Sequence, residues 1–195
     1  MHYRNKSTAH AFFQAMKNSN PKADLRRELI AARKAISADV KAQADERIAS
    51  KLVAWLDAHQ VTVLGAYLPM AGEPDLTALY ATLPGRGIQV AMPVVLEKNQ
   101  PLHFVHWQAG DALARDASGT LAPTDREHFV KPDAVLAPCV GYNDAQYRLG
   151  YGGGYFDRTL ARSPRPLAVG IAYAITKADF PADAFDIPLD VILTD

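Results

Sequence analysis

The sequence predicts an α/β fold, a three-layer αβα sandwich around a mainly parallel central sheet. Three observations lead there. Short apolar runs bounded by Pro, Gly or charged residues read as buried strands. Segments with helical spacing lie before and between them. Strands that alternate with helices are what a parallel sheet with crossover connections requires. The 195 residues fit one domain, long enough to bury roughly 70 % of its unfolded surface without disulfides or structural metal.

Residues 1–20 contain basic side chains and a short Ala-Phe-Phe patch but no secretory apolar region. They read as a polar leader before a single domain over 21–195, with a mitochondrial transit peptide as the alternative because the segment lacks acidic residues. Pro21 is a helix-start signal, and Leu25, Leu29, Ala32 and Ile36 recur on one face. Ser37 and Asp39 supply the break and the cap. A second helix places Val40, Ala44, Ile48, Leu52 and Trp55 on its buried face. Residues 61–67 form a strand, 69–74 a loop and 75–83 a short helix. After a turn at 84–87 come strands at 88–92 and 102–107. The stretch 110–131 is rich in turn residues and carries no assigned element. A strand over 133–137 ends at Pro138, and a long loop over 141–154 holds five of the twelve glycines. A helix opens near Tyr155 and ends near Ala161, followed by strands at 167–172 and 191–193.

Composition narrows the functions available. With 49 % hydrophobic and 22 % charged residues the chain is neither disordered nor collagen-like. Zero net charge argues against a dedicated nucleic-acid binder, which needs a basic surplus. No apolar run approaches the ~18 residues of a membrane span. One Cys makes neither an internal disulfide nor a multi-thiolate zinc site and suits a reducing cytoplasm.

Chemistry concentrates in Arg148-Leu-Gly-Tyr-Gly-Gly-Gly-Tyr-Phe-Asp-Arg158. Glycines let backbone N–H groups turn towards a ligand, and a helix starting just after them adds positive potential. Arg148 and Arg158 add full charge, while Asp157 offers a hard oxygen to Mg²⁺. The set suits a nucleotide phosphate with magnesium. Glycines alone more often mark a structural turn than a phosphate site, and the spacing is neither a Walker loop nor a dinucleotide fingerprint.

This segment resembles the Arg-Leu-Gly-x-Gly-x-Gly-Tyr/Phe-Tyr/Phe-Asp signature of the 5-formyltetrahydrofolate cyclo-ligase family, also called 5,10-methenyltetrahydrofolate synthetase. Four further segments resemble the family in the same order: Lys22-Ala-Asp-Leu-Arg26 with Arg33 and Ser37, Tyr67-Leu-Pro-Met-Ala-Gly-Glu73-Pro-Asp75, Pro138-Cys-Val-Gly-Tyr-Asn143, and 181–194 with Asp186-Ile-Pro-Leu-Asp190. The resemblance spans Lys22 to Thr194. It implies an ATP- and Mg²⁺-dependent conversion of 5-formyltetrahydrofolate to 5,10-methenyltetrahydrofolate, ADP and phosphate, on a sheet similar to that of sugar-phosphate isomerases and CoA transferases. It implies ATP contacts from Lys22, Arg26 and the run Arg148, Leu149, Gly150, Tyr151, Gly152, Gly153, Gly154, Tyr155 and Phe156, with Arg148 stabilising the transferring phosphoryl. Leu68, Glu73, Tyr151, Gly152, Gly153, Gly154 and Tyr155 are implied for the folate, and Asp157 and Asp186 for magnesium. The implied partner is a small reduced folate, with no nucleic acid or membrane, and the chain is expected to be a monomer or weak homodimer.

Read without the resemblance, several of these residues have plainer roles. Lys22 and Arg26 share a helix face as solvated charges do. Glu73 and Asp186 are ordinary loop carboxylates, and Tyr155 or Phe156 packs a helix start. The chain also departs from the family pattern at 173–176, where an acidic residue and a Gln are missing, and at Phe185. A catalytically weak reduced-folate or nucleotide-binding protein is therefore the alternative, and a phosphate-ligand enzyme of another class is a further one. Cys139 reads as a buried thiol and Trp107 as strand-end packing, while His103 and His106 fall on opposite strand faces and make poor joint metal ligands.

Overall fold

The computed structural model describes residues 20–195; of the leader expected over 1–20, all but Asn20 lies outside the described residues. Helix α1 (Pro21–Lys34) starts as its sequence predicts. The Asn20 side chain accepts from the Ala23 N–H at 3.3 Å, and Pro21 occupies a first-turn position where a missing N–H costs nothing. Asp24 in the first turn and Arg33 and Lys34 in the last oppose the helix dipole. Helix α2 (Ala38–His59) buries Ala44, Ile48, Leu52 and Leu56. Steps of four overshoot a full helical turn, so the stripe rotates along the helix. Val40 has turned out to solvent at 54 % exposure, and Leu56 rather than Trp55 is the buried residue at the far end. Trp55 is only partly buried and stacks on His59.

The sheet has seven strands: β1 (Val63–Gly65), β2 (Gln89–Val94), β3 (His103–His106), β6 (Phe129–Val130), β7 (Ala134–Pro138), β10 (Leu167–Ile171) and β11 (Val191–Leu193). Their order is β11-β10-β7-β1-β2-β3-β6. The five strands from β11 to β2 run parallel, and β3 and β6 add antiparallel pairings at one edge. The sheet is thus mixed but mostly parallel. Alternate residues face its two sides. Leu64, Val90, Met92, Leu136 and Val169 meet α2 and the short α3 (Thr77–Tyr80) on one side. Ala91, Phe104, Val135 and Ala168 meet α4 (Tyr155–Leu160) on the other. Gly65 is required here, because a Cβ would lie 2.7 Å from the Phe104 ring and 2.9 Å from Val135.

The helical layers are unequal. One face carries the long α2, whereas the other is covered by the six-residue α4 and by loops. The expected helix over 75–83 is α3 followed by a 3₁₀ turn, Leu83–Arg86. The stretch 110–131, without an expected element, contains the hairpin β4 (Leu113–Arg115) and β5 (Leu121–Pro123), and then β6. Ala122 seats that hairpin against Val94 and Val105. The loop expected over 141–154 contains a second two-stranded ribbon, β8 (Gly141–Tyr142) with β9 (Arg148–Leu149). Its turn is built by the Asn143 side chain, which accepts from the Ala145 and Tyr147 N–H groups.

Candidate active site

The chain runs from β1 to β2 on one side, and after β6 it returns to place β7 on the other side of β1. Such a switch in direction opens a crevice outside the carboxyl ends of parallel strands. A cavity of about 440 Å³ occupies this crevice, floored by Tyr67, Pro93, Val95 and Pro138 from the ends of β1, β2 and β7. Every residue that the resemblance implies for ATP, folate or magnesium lines it: Lys22 and Arg26 from α1, Leu68 and Glu73 from the loop after β1, the run 148–157, and Asp186.

Local geometry explains the glycines. Gly152 and Gly154 adopt φ of +95° and +65°, left-handed values that suit glycine. Gly154 is the N-cap of α4, so the loop turns straight into a helix start. A Cβ on Gly150 would collide with the Arg148 guanidinium, and one on Gly153 would lie 2.9 Å from the Tyr155 ring. The loop is tied from outside as well. Arg26 Nε donates to the Gly150 carbonyl at 2.7 Å, and Arg158 Nη1 donates to the Gly153 carbonyl at 2.8 Å.

Two charge groups face the cavity. Arg148 donates to Asp157 Oδ2 at 2.7 Å and lies over the Phe156 ring, and its Nε is buried without a partner. Lys22 Nζ donates to Asp183 at 2.6 Å and to Asp186 at 3.2 Å. Burial works against the lysine's charge, yet these two carboxylates hold its pKa above the ordinary value. Asp186 Oδ2 also accepts the Asp183 N–H, while its Oδ1 has no protein hydrogen bond among the described residues.

Glu73 is 1 % exposed. Its Oε1 accepts from the Tyr151 hydroxyl at 2.7 Å and its Oε2 from the Met70 N–H at 2.9 Å. Burial raises its pKa above 4.5; the Met70 N–H, the Tyr151 hydroxyl and the Arg33 charge offset this in part. Tyr155 and Phe156 both pack against the core under α4 as well as lining the cavity.

Sequence reasoning missed Arg33 as part of this region, along with Asp183 and the hairpin tip Asp116, Ser118, Thr120 and Leu121. The crevice rule would have pointed to Tyr67, Val95 and Pro138 once the strands were ordered. The departing residues 173–176 do not line the cavity. Tyr173 is buried in the main core and its hydroxyl donates to Asp45. Cys139 is buried and its thiol is pushed up to about 12, chiefly by burial. A second, wider recess of about 740 Å³ beside His106 and His128 contains none of the expected residues.

A glycine loop that turns into a helix start, flanked by helix cations and carboxylates at the switch point of a mostly parallel sheet, has the make-up that suits an α/β enzyme acting on a phosphate-bearing ligand. The chain matches the 5-formyltetrahydrofolate cyclo-ligase family over residues 18–195 and belongs to that family. A 5-formyltetrahydrofolate cyclo-ligase of Mycoplasma pneumoniae is 31 % identical over 88 % of this chain and 96 % of the relative. One from Mycolicibacterium smegmatis is 27 % identical over 89 % of this chain and 93 % of the relative. Among solved structures, a 5,10-methenyltetrahydrofolate synthetase from Mycoplasma pneumoniae superposes with a TM-score of 0.73 at 28 % identity, covering 89 % of this chain and 98 % of that one. The Aquifex aeolicus 5,10-methenyltetrahydrofolate synthetase gives 0.73 at 30 % identity, covering 88 % of each.

Proposed function

We propose that the crevice binds ATP and 5-formyltetrahydrofolate side by side, with the residue roles that the resemblance implies. The activity is that of the family: a folate ligase of one-carbon metabolism that uses ATP. What supports the roles is one observation. A single cavity is lined by residues from α1, the loop after β1, the glycine loop and the segment before β11.

The formyl oxygen of the substrate is an amide oxygen and a poor leaving group. Its bond to the γ-phosphorus forms as the bond from that phosphorus to the ADP oxygen breaks. N10 of the folate then attacks the formyl carbon, phosphate leaves with the C–O electron pair, and the N10 proton passes to solvent or phosphate. Such a transfer needs positioning and charge neutralisation more than covalent help. Arg148 is fixed for the second task by Asp157 and by the space beneath Gly150. Lys22 and Arg26 hold the other phosphate oxygens. Glu73 accepts from pterin N–H donors.

Asp157 and Asp186 would hold magnesium. Two hard carboxylates suit an ion that keeps waters and takes its remaining ligands from phosphate, and the unbonded Asp186 Oδ1 fits that use. When bound, the ion neutralises charge on the phosphate oxygens. The unequal helical layers belong to the three-layer sandwich shared with sugar-phosphate isomerases and CoA transferases, and the protein works in the cytoplasm as a monomer or weak homodimer. Among the described residues no helix is long and apolar enough to cross a membrane.

The test mixes protein, ATP, Mg²⁺ and 5-formyltetrahydrofolate and follows methenyl-folate absorbance and phosphate release together. Equal yields of both, lost in Arg148→Ala and Asp157→Ala, are expected. Saturable folate binding without phosphate release would replace turnover by the binding-protein reading. The packing of Tyr173 away from the cavity favours turnover.

A further inference from the structure

We propose that Arg33 is a positioning residue for this reaction: through the Tyr151 hydroxyl it ties the glycine loop to the loop carrying Glu73, so that nucleotide bound at the first and folate bound at the second favour each other. The inference rests on the two-ligand reading above and goes beyond it by assigning the coupling between the ligands to one buried side chain.

Arg33 lies in the last turn of α1 and is 2 % exposed. Among the described residues no carboxylate lies within ion-pair distance of it. Its charge is met by carbonyls and one hydroxyl. Nε and Nη2 donate to the Ala71 carbonyl at 3.2 and 3.0 Å, Nη1 to the Cys139 carbonyl at 3.2 Å, and Nη2 to the Tyr151 hydroxyl at 2.7 Å. A buried guanidinium is costly to keep, and packing alone would be served by an apolar residue.

The bonds have a direction. An arginine can only donate, so the Tyr151 oxygen accepts from it and must send its own proton to Glu73 Oε1, 2.7 Å away. The same guanidinium holds the carbonyl of Ala71, a non-glycine residue at φ +51°, followed by Gly72 at φ +76°. That left-handed pair shapes the turn which presents Glu73, and the arginine over-determines it. Tyr151 itself sits inside the glycine loop, between Gly150 and Gly152. A ligand that orders the glycine loop therefore fixes the hydroxyl that orients Glu73, and a ligand held by Glu73 fixes the loop in return. Reciprocal stabilisation of this kind is a coupling free energy.

The affinity of the full chain for 5-formyltetrahydrofolate is measured with and without a non-hydrolysable ATP analogue and Mg²⁺, in the parent, Tyr151→Phe, Arg33→Lys and Arg33→Met. The parent is expected to bind folate at least about fivefold tighter with the nucleotide, the low end of usual couplings. Tyr151→Phe and Arg33→Met bring that ratio to about one. Arg33→Lys keeps part of it, because an ammonium can reach the hydroxyl or the carbonyl but does not span both as the fork does. A parent ratio of one overturns the proposal. So does a variant that weakens both affinities equally and leaves the ratio intact, as a merely structural role would. If Arg33→Met does not fold, Tyr151→Phe decides. Turnover of the parent is measured first: its failure would sink the functional reading, whereas turnover with an unmoved ratio sinks only this inference.

Discussion

Removing Asp157 is expected to cost more stability than removing Arg148, although the proposed roles give Arg148 the larger part in turnover. The side chains of the pair are 6 % exposed for Arg148 and 17 % for Asp157. Asp157→Ala leaves a nearly enclosed guanidinium, packed between the Phe156 ring and Gly150, without its carboxylate. Breaking a buried pair in this way costs about 3–5 kcal/mol, and the residual exposure puts the expected loss near 3. Arg148→Met leaves a carboxylate that water can reach and that still faces the Ile187 N–H at 3.4 Å. It also removes the Arg148 Nε, a buried donor without a partner. Its expected cost is about 1–2 kcal/mol. The double variant should fall short of the sum by about 2 kcal/mol, since neither charge is then stranded. Urea unfolding followed by the fluorescence of Trp107, in the core cluster, and Trp55, packed against it, measures all three. Turnover of Arg148→Met should drop about 10²–10³-fold, the usual loss of one donor to developing charge. Additive single costs, or a larger stability loss for Arg148→Met than for Asp157→Ala, would falsify the account of this pair.

Glu73→Gln is expected to flatten one part of the pH dependence of stability. The folded carboxyl titrates above 4.5, first because of burial, so the folded state holds its proton longer than the unfolded chain does. Stability from this group is full below the unfolded pKa and declines as pH rises through the folded one; urea midpoints of parent and variant should converge or cross as pH rises from about 4.5. Cys139, with its thiol at about 12, should resist iodoacetamide in the folded protein and react once urea unfolds it, as mass spectrometry would register. Gly154→Ala should cost about 1 kcal/mol from its φ of +65° and weaken ATP more than folate, visible as a rise in the KM for ATP.

Much of the scaffold is legible because its physics is local. The central strands are buried on both faces and read as continuous apolar runs, and α1 announces itself through Pro21. The hairpin β4–β5 gives no such signal: β4 is exposed along its length and each strand has three residues. The ribbon β8–β9 is made by a side-chain turn at Asn143 and has no period to detect. In the site, the glycine run can be read from residue chemistry, but Lys22, Arg26 and Asp186 stand out only through family resemblance, since singly they look like surface charges. Arg33 looks the same in sequence; its burial is decided by the Ala71 turn, Cys139 and Tyr151, which only the fold brings to it.

The Lys22–Asp183 contact joins residues 161 positions apart. On a ribosome, which releases the chain from its N-terminus, the cation emerges among the first residues of the domain and its carboxylate partners among the last. Once residues 150–154 have emerged, the glycine loop can fold onto Arg26 while the wall carrying Asp183 and Asp186 does not yet exist. A chain stopped anywhere before Asp183 would lack that wall however well its sheet had formed. If ATP binds as proposed, the order of residues along the polypeptide makes that binding a late event, withheld from incomplete copies.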